Sequence, residues 1–144
     1  MTSAFQNLYK RALGAALAVL IGLCLILSPL VPSVEASGAL MSGDYISDTV
    51  SVAHSLQETI AIPKDEERKP EAEIEAVQLI TAYISRYRNR SQVNQSMSYT
   101  TMQTALNAMA GHYKTFPNRV LPDQLKERLN NELEKAAQLA TKES

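Results

Sequence analysis

One cysteine, Cys24, and five glycines are all that 144 residues contain of either type. A lone cysteine excludes an intramolecular disulfide and any metal site built on several thiolates. Scarce glycine, with no sustained alternation of apolar and polar residues, argues against strands and tight hairpins. Glycine-rich phosphate loops, a nucleophile elbow and two histidines one helical turn apart are also missing. Without them no side chain has the base, oxyanion donor or metal that catalysis needs, and an enzyme is not expected. Internal repeats and low-complexity tracts are absent too.

What is present begins with a leader. Lys10 and Arg11 precede 23 uncharged residues, Ala12 to Val34, and Leu17 to Leu27 is a nearly unbroken apolar run. Ser28, Pro29 and Pro32 stop any helix there, and Val34-Glu35-Ala36 offers small residues one and three places before a cut. The division expected is therefore a signal peptide over 1–36, a mobile arm over 37–43 and a folded domain over 44–144. Two alternatives stand beside removal. The uncharged stretch is long enough to remain as an N-terminal anchor. Cys24 could instead carry a lipid, although Leu23 before it is larger than the residue such a site prefers.

Helical spacing recurs four times in the remainder. From about Asp44 to Ile62, Tyr45, Thr49, Val52, Ala53, Leu56 and Ile60 form one stripe. Ser42 or Asp44 can cap it, and Pro63 ends it. Pro70 opens a second segment, with Glu71, Glu73 and Glu75 at the positive end of the helix dipole and Arg86, Arg88 and Arg90 at the negative end. Its apolar face reads Ala76, Val77, Ile80, Ile84 and Tyr87. The third carries Tyr99, Met102, Leu106, Met109, Tyr113 and Phe116, with Ser98 or Thr100 as cap. The fourth runs from about Pro122 to Thr141 with Leu125, Leu129, Leu133, Ala136 and Ala140 on one face. The spacing predicts an all-α, four-helix up-down-up-down bundle after the signal segment.

Candidate chemistry is thin. His54 and Glu58 share a helix face and are half of a possible metal site; the run from Asp65 to Glu75 holds six carboxylates that could attract a hard cation. A metal-handling protein using His54, Glu58 and the 65–75 run is thus the alternative function. Neither group has calcium-loop spacing or an evident third ligand, so no metal or cofactor is expected. His112 suits dipole stabilisation or packing near a helix end.

Charge is distributed unevenly. No acidic residue lies between Glu75 and Asp123, while Arg86, Arg88, Arg90, Lys114 and Arg119 do. The arginine trio falls at one end of the expected bundle with no partner nearby in sequence. Flanked by Tyr87 and Tyr99, it suits an acidic protein surface, because Arg and Tyr make effective anchors. The chain's net charge is −1, and losing Lys10, Arg11 and Glu35 with the leader leaves the rest more acidic. That balance argues against nucleic acid.

The third segment carries a resemblance. Ser85-Arg86-Tyr87-Arg88, then Tyr99-Thr100-Thr101-Met102-Gln103-Thr104-Ala105-Leu106-Asn107-Ala108-Met109-Ala110-Gly111-His112-Tyr113, then Phe116-Pro117-Asn118-Arg119 and Leu121-Pro122-Asp123-Gln124-Leu125-Lys126, resemble the Psb-twenty-seven family. Its members are small thylakoid-lumen assembly and repair factors of photosystem II. The resemblance covers roughly Leu40 onward. It implies a four-helix bundle, no catalysis, and transient binding to immature or damaged photosystem II. The contact it implies is the lumenal loop of the inner-antenna chlorophyll-binding protein, where the factor assists biogenesis of the manganese cluster. A monomer when free, and residence in the thylakoid lumen, are expected with it. Arg86, Tyr87, Arg88, Arg90 and Tyr99 are the residues expected at the interface. The sequence departs from the family's pattern where Asn89-Arg90-Ser91-Gln92 follow the basic cluster and where Val120 follows Asn118-Arg119.

Overall fold

The computed structural model describes residues 40–116 and 120–143. The signal segment, Cys24 and Arg119 lie outside the described residues. Among the described residues there are four helices and no strand: α1 (Tyr45–Ala61), α2 (Lys69–Tyr87), α3 (Met97–Thr115) and α4 (Asp123–Lys142). Each packs on the next, and α4 closes the ring on α1. With such short connections this is the up-down-up-down bundle that the periodicity predicts.

The helix ends follow local chemistry. Asp44 caps α1, its carboxylate accepting the Ser47 N–H at 2.9 Å, and Pro63 follows the extended Ile62 at the other end. Proline lies in the first turn of α2 with Glu71 beside it. At α3 the structure corrects the expected start. Ser96, rather than Ser98 or Thr100, is the cap, its hydroxyl accepting the Tyr99 N–H at 3.1 Å. A serine with extended backbone directly ahead of the helix can turn its oxygen back to the free N–H groups, and one inside the first turn cannot.

The core is one apolar cluster. Val52 and Leu56 of α1, Ile80 and Tyr83 of α2, Met102 and Leu106 of α3, and Leu129 and Leu133 of α4 are all buried. Burying side chains of this size is worth about 1.5–3 kcal/mol each. Ala136 and Ala140 are also fully buried; lacking atoms beyond Cβ, they let α4 approach α1 and α3, its two most extensive contacts. On α2 the buried stripe is Ala76, Leu79, Ile80, Tyr83 and Tyr87. Val77 and Ile84, expected on that face, sit half-buried at its edge. Phe116, expected in the α3 stripe, is 43% exposed, because the helix ends at Thr115 and the backbone turns away.

The arm differs most from expectation. Leu40 is exposed, but Met41 is only 7% exposed and packs into the core cluster. From Met41 onward the segment expected to be mobile is part of the domain.

Candidate functional site

Asp48 explains why the arm is held. It stands on α1 three residues after Tyr45 and four before Val52, inside the apolar stripe, and is 1% exposed. A carboxylate in that position must find donors or cost several kcal/mol. Ser42 supplies its N–H at 2.6 Å and its hydroxyl at 3.0 Å, and the Gly43 N–H adds a third bond at 3.1 Å. From α2, the Tyr87 hydroxyl donates to Oδ2, and the Arg86 guanidinium lies 3.6 Å from the same oxygen. Gly43 has φ of 99°, a left-handed conformation that side chains resist, so this turn requires glycine.

Burial alone would raise the Asp48 carboxyl. The bonds from Tyr87, Ser42 and Gly43 outweigh it and hold the group below its ordinary value, ionised. Tyr87 shifts the opposite way. Its burial, then the bond to Asp48 and that carboxylate's charge, push the phenol well above its usual range, so it stays a donor. Burial does the same for Tyr83, which sits 2.7 Å from Thr49 Oγ1; that hydroxyl in turn donates to the Tyr45 carbonyl at 2.6 Å.

A second polar group joins the remaining helix ends. The Ser98 hydroxyl and N–H both donate to Glu143, just past α4, and the Tyr45 hydroxyl lies 2.7 Å from Ser98 Oγ. With its own proton given to Glu143, Ser98 accepts from Tyr45. Four aromatic rings line this end: Tyr45 and Tyr87 at 5.2 Å, Tyr87 and Tyr83 at 5.0 Å, Tyr83 and Tyr99 at 6.4 Å.

The five expected interface residues are thus brought to one end of the bundle, but with different roles. Tyr87 and Tyr99 are 0% and 3% exposed; the α2 and α3 stripes carry their rings into the core, and neither presents a surface to a partner. Arg86, expected to be unpaired, is neutralised by Asp48 and also donates to the Met41 carbonyl at 3.4 Å. Arg90 is exposed, lies 4.8 Å over the Tyr87 ring and donates to the Gly43 carbonyl at 3.3 Å. Its charge remains outward. Arg88 is exposed, and its guanidinium has no hydrogen bond or ion pair among the described residues. Of the arginine trio, Arg88 and Arg90 are therefore the two that face solvent, at an end that also exposes Asp44, Lys142 and Glu143.

Elsewhere, His54 and Glu58 approach to 3.4 Å with both side chains about 70% exposed. No group of three or more metal-ligating side chains exists among the described residues. Glu58, Glu66 and Glu75 border an open groove of about 520 Å³, where Arg68 pairs with Glu66 at 2.5 Å. His112 is half-buried with its ring 5.4 Å from Phe116. Asp48 is the functional-end residue that sequence reasoning missed. The available clue was a carboxylate inside an apolar stripe, which demands a buried partner.

A family model described as Photosystem II Pbs27 matches residues 8–139 of the sequence. The chain belongs to this family. The Psb27 relative in Thermosynechococcus vestitus, named photosystem II assembly factor lipoprotein Psb27, is 40% identical over 92 residues, 64% of this chain and 69% of that protein. Photosystem II lipoprotein Psb27 of Synechocystis sp. is 37% identical over 134 residues, 93% of each. The solution structure of Psb27 from cyanobacterial photosystem II has a TM-score of 0.68 at 38% identity, covering 72% of this chain and 90% of that one. The Psb27 fold is the four-helix bundle described above.

Proposed function

We propose that this chain is a non-catalytic photosystem II assembly and repair factor. It binds immature or damaged photosystem II on the lumenal side, at the lumenal loop of the inner-antenna chlorophyll-binding protein, and assists biogenesis of the manganese cluster. The observation that carries the reading is family membership over nearly the whole chain, with a relative of 93% mutual coverage named a photosystem II lipoprotein. Arg88 and Arg90 supply the outward charge for an acidic partner, Arg86 braces them from behind through Asp48, and Tyr87 and Tyr99 support the end from within. The site of action is the thylakoid lumen. Cleavage after Ala36 releases the domain there; lipidation at Cys24 or retention of the leader is the anchored alternative, which the relatives' lipoprotein names favour.

The test is co-purification of the Arg88→Glu/Arg90→Glu double variant with photosystem II assembly intermediates. Both side chains are exposed, so the fold is retained and recovery should fall at least tenfold. Unchanged recovery rejects the tip as the interface. The mass of the mature N-terminus separates cleavage after Ala36 from a lipid on Cys24.

A further inference from the structure

Arg88 and Arg90 are both exposed, yet they are held differently. The Arg88 backbone is fixed, its N–H donating to the Ile84 carbonyl and its carbonyl accepting from Asn94 Nδ2, each at 3.0 Å. Its guanidinium has no hydrogen bond or ion pair among the described residues, so the side chain keeps its rotamer freedom. At Arg90 the backbone N–H donates to the Tyr87 carbonyl at 3.1 Å, and the carbonyl accepts from the Val93 and Asn94 N–H groups at 2.9 Å. Here the guanidinium is held as well. It lies 4.8 Å over the Tyr87 ring, and Nη1 donates to the Gly43 carbonyl at 3.3 Å.

Both supports of that guanidinium lead back to one atom. Asp48 Oδ2 accepts the Gly43 N–H at 3.1 Å and the Tyr87 hydroxyl, with the Arg86 guanidinium 3.6 Å away. It thereby fixes the residue whose carbonyl holds Arg90 and the ring over which Arg90 lies. Oδ1 takes the N–H and hydroxyl of Ser42, one position earlier in the arm. The Tyr87 ring is further packed on Tyr45 and Tyr83, with centroids 5.2 and 5.0 Å away. A guanidinium has five N–H donors, and Gly43 takes one from Arg90. The others can meet a carboxylate in the paired geometry that a planar guanidinium favours. Asp44, next to Gly43, does not compete for them. Its carboxylate caps α1 through the Ser47 N–H at 2.9 Å and forms no ion pair with Arg90 among the described residues.

We infer that Asp48 is a positioning residue for docking. Through Gly43 and the Tyr87 ring it presets Arg90 as the fixed contact for a carboxylate of the photosystem partner, while Arg88 adapts. A side chain ordered in advance loses less freedom on binding, and association is stronger for it. The inference rests on the proposed contact through the basic tip and deepens it, because the arm becomes a determinant of affinity.

Affinity for purified photosystem II assembly intermediates tests this, measured for the full chain and its variants. Asp48→Asn puts an NH2 group where one carboxylate oxygen stood, so one of the two sets of donors loses its acceptor. Gly43→Ala acts on the backbone alone. The added Cβ would lie 3.8 Å from Arg86 Nη1, an ordinary contact, but φ of 99° is strained for alanine. Each should bind about fivefold more weakly, and equally so when Arg88→Ala is also present. Combined with Arg90→Ala, neither should weaken binding beyond Arg90→Ala itself, because the group they position is gone. Circular dichroism at the assay temperature verifies folding. Ser42→Ala, which deletes one hydroxyl, gives the same comparison if either variant unfolds. Unchanged affinity of the clasp variants, or an equal loss with and without Arg90, overturns the inference and leaves the docking function intact. Parent-like binding by Arg88→Glu/Arg90→Glu overturns the tip as the interface and the inference with it.

Discussion

Two charged side chains, Asp48 and Lys69, are almost wholly buried at opposite ends of the bundle, 1% and 5% exposed. Their partners differ in kind. The Lys69 ammonium donates to the Ile62 carbonyl at 3.1 Å and pairs with Glu73 at 3.4 Å, each partner within seven positions of Lys69. Asp48 draws on Ser42 and Gly43 in the arm and on Arg86 and Tyr87 at the end of α2. Lys69 closes a local turn. Asp48 ties together segments that are distant in the chain.

The largest test of that contrast is Asp48→Ala, which strands Arg86 and three arm donors. Breaking a buried pair costs about 3–5 kcal/mol, and the lower end, about 3 kcal/mol, is expected here because Arg86 is a third exposed. Urea denaturation measures it. A loss below about 1 kcal/mol would mean that the arm contributes nothing to stability. Lys69→Met keeps the aliphatic stem but loses the bond to the Ile62 carbonyl and leaves Glu73 without its cation, for about 2 kcal/mol. Acid sharpens the difference further. With its pKa depressed on folding, Asp48 contributes stability above the ordinary carboxylate range, near pH 4, and that contribution disappears as pH falls through the depressed value. A thermal-midpoint profile from pH 6 to 2 should show the decline, and Asp48→Asn should flatten it. The smallest effect belongs to the exposed His54–Glu58 pair. His54→Ala should shift stability by no more than a few tenths of a kcal/mol, as exposed pairs one turn apart do.

The four helices were legible because their stops are chemical. Pro63, Pro70 and Pro122 bound the segments, and stripes such as Leu129, Leu133, Ala136 and Ala140 specify which face turns inward. The basic end was legible only as a location. Sequence proximity made the three arginines look equivalent, whereas the one paired with Asp48 faces a residue 38 positions earlier, on another helix. Tyr87 and Tyr99 misled for a related reason. Tyrosine serves equally as a core filler with a polar tip and as a surface anchor, and only packing decides between these. The α2 stripe was misassigned by one position because Val77 and Ile84 are as apolar as Leu79 and Tyr83. The clasped arm left no periodic trace, since its order comes from one carboxylate lying beyond it.

The Asp48 clasp and the Ser98–Glu143 contact lie at the same end of the molecule, so residues 42 and 143 are both moored there. Between those moorings the chain runs as a nearly closed circuit. Joining its ends with a short linker and opening it instead in the solvated 63–68 turn would give a circular permutant in which both clasps survive. Opening it between Arg88 and Ser96 would place the new ends beside the basic tip and separate Tyr87 from Ser98 along the chain. The clasps join helix ends through side chains, so neither depends on the order in which the helices are connected.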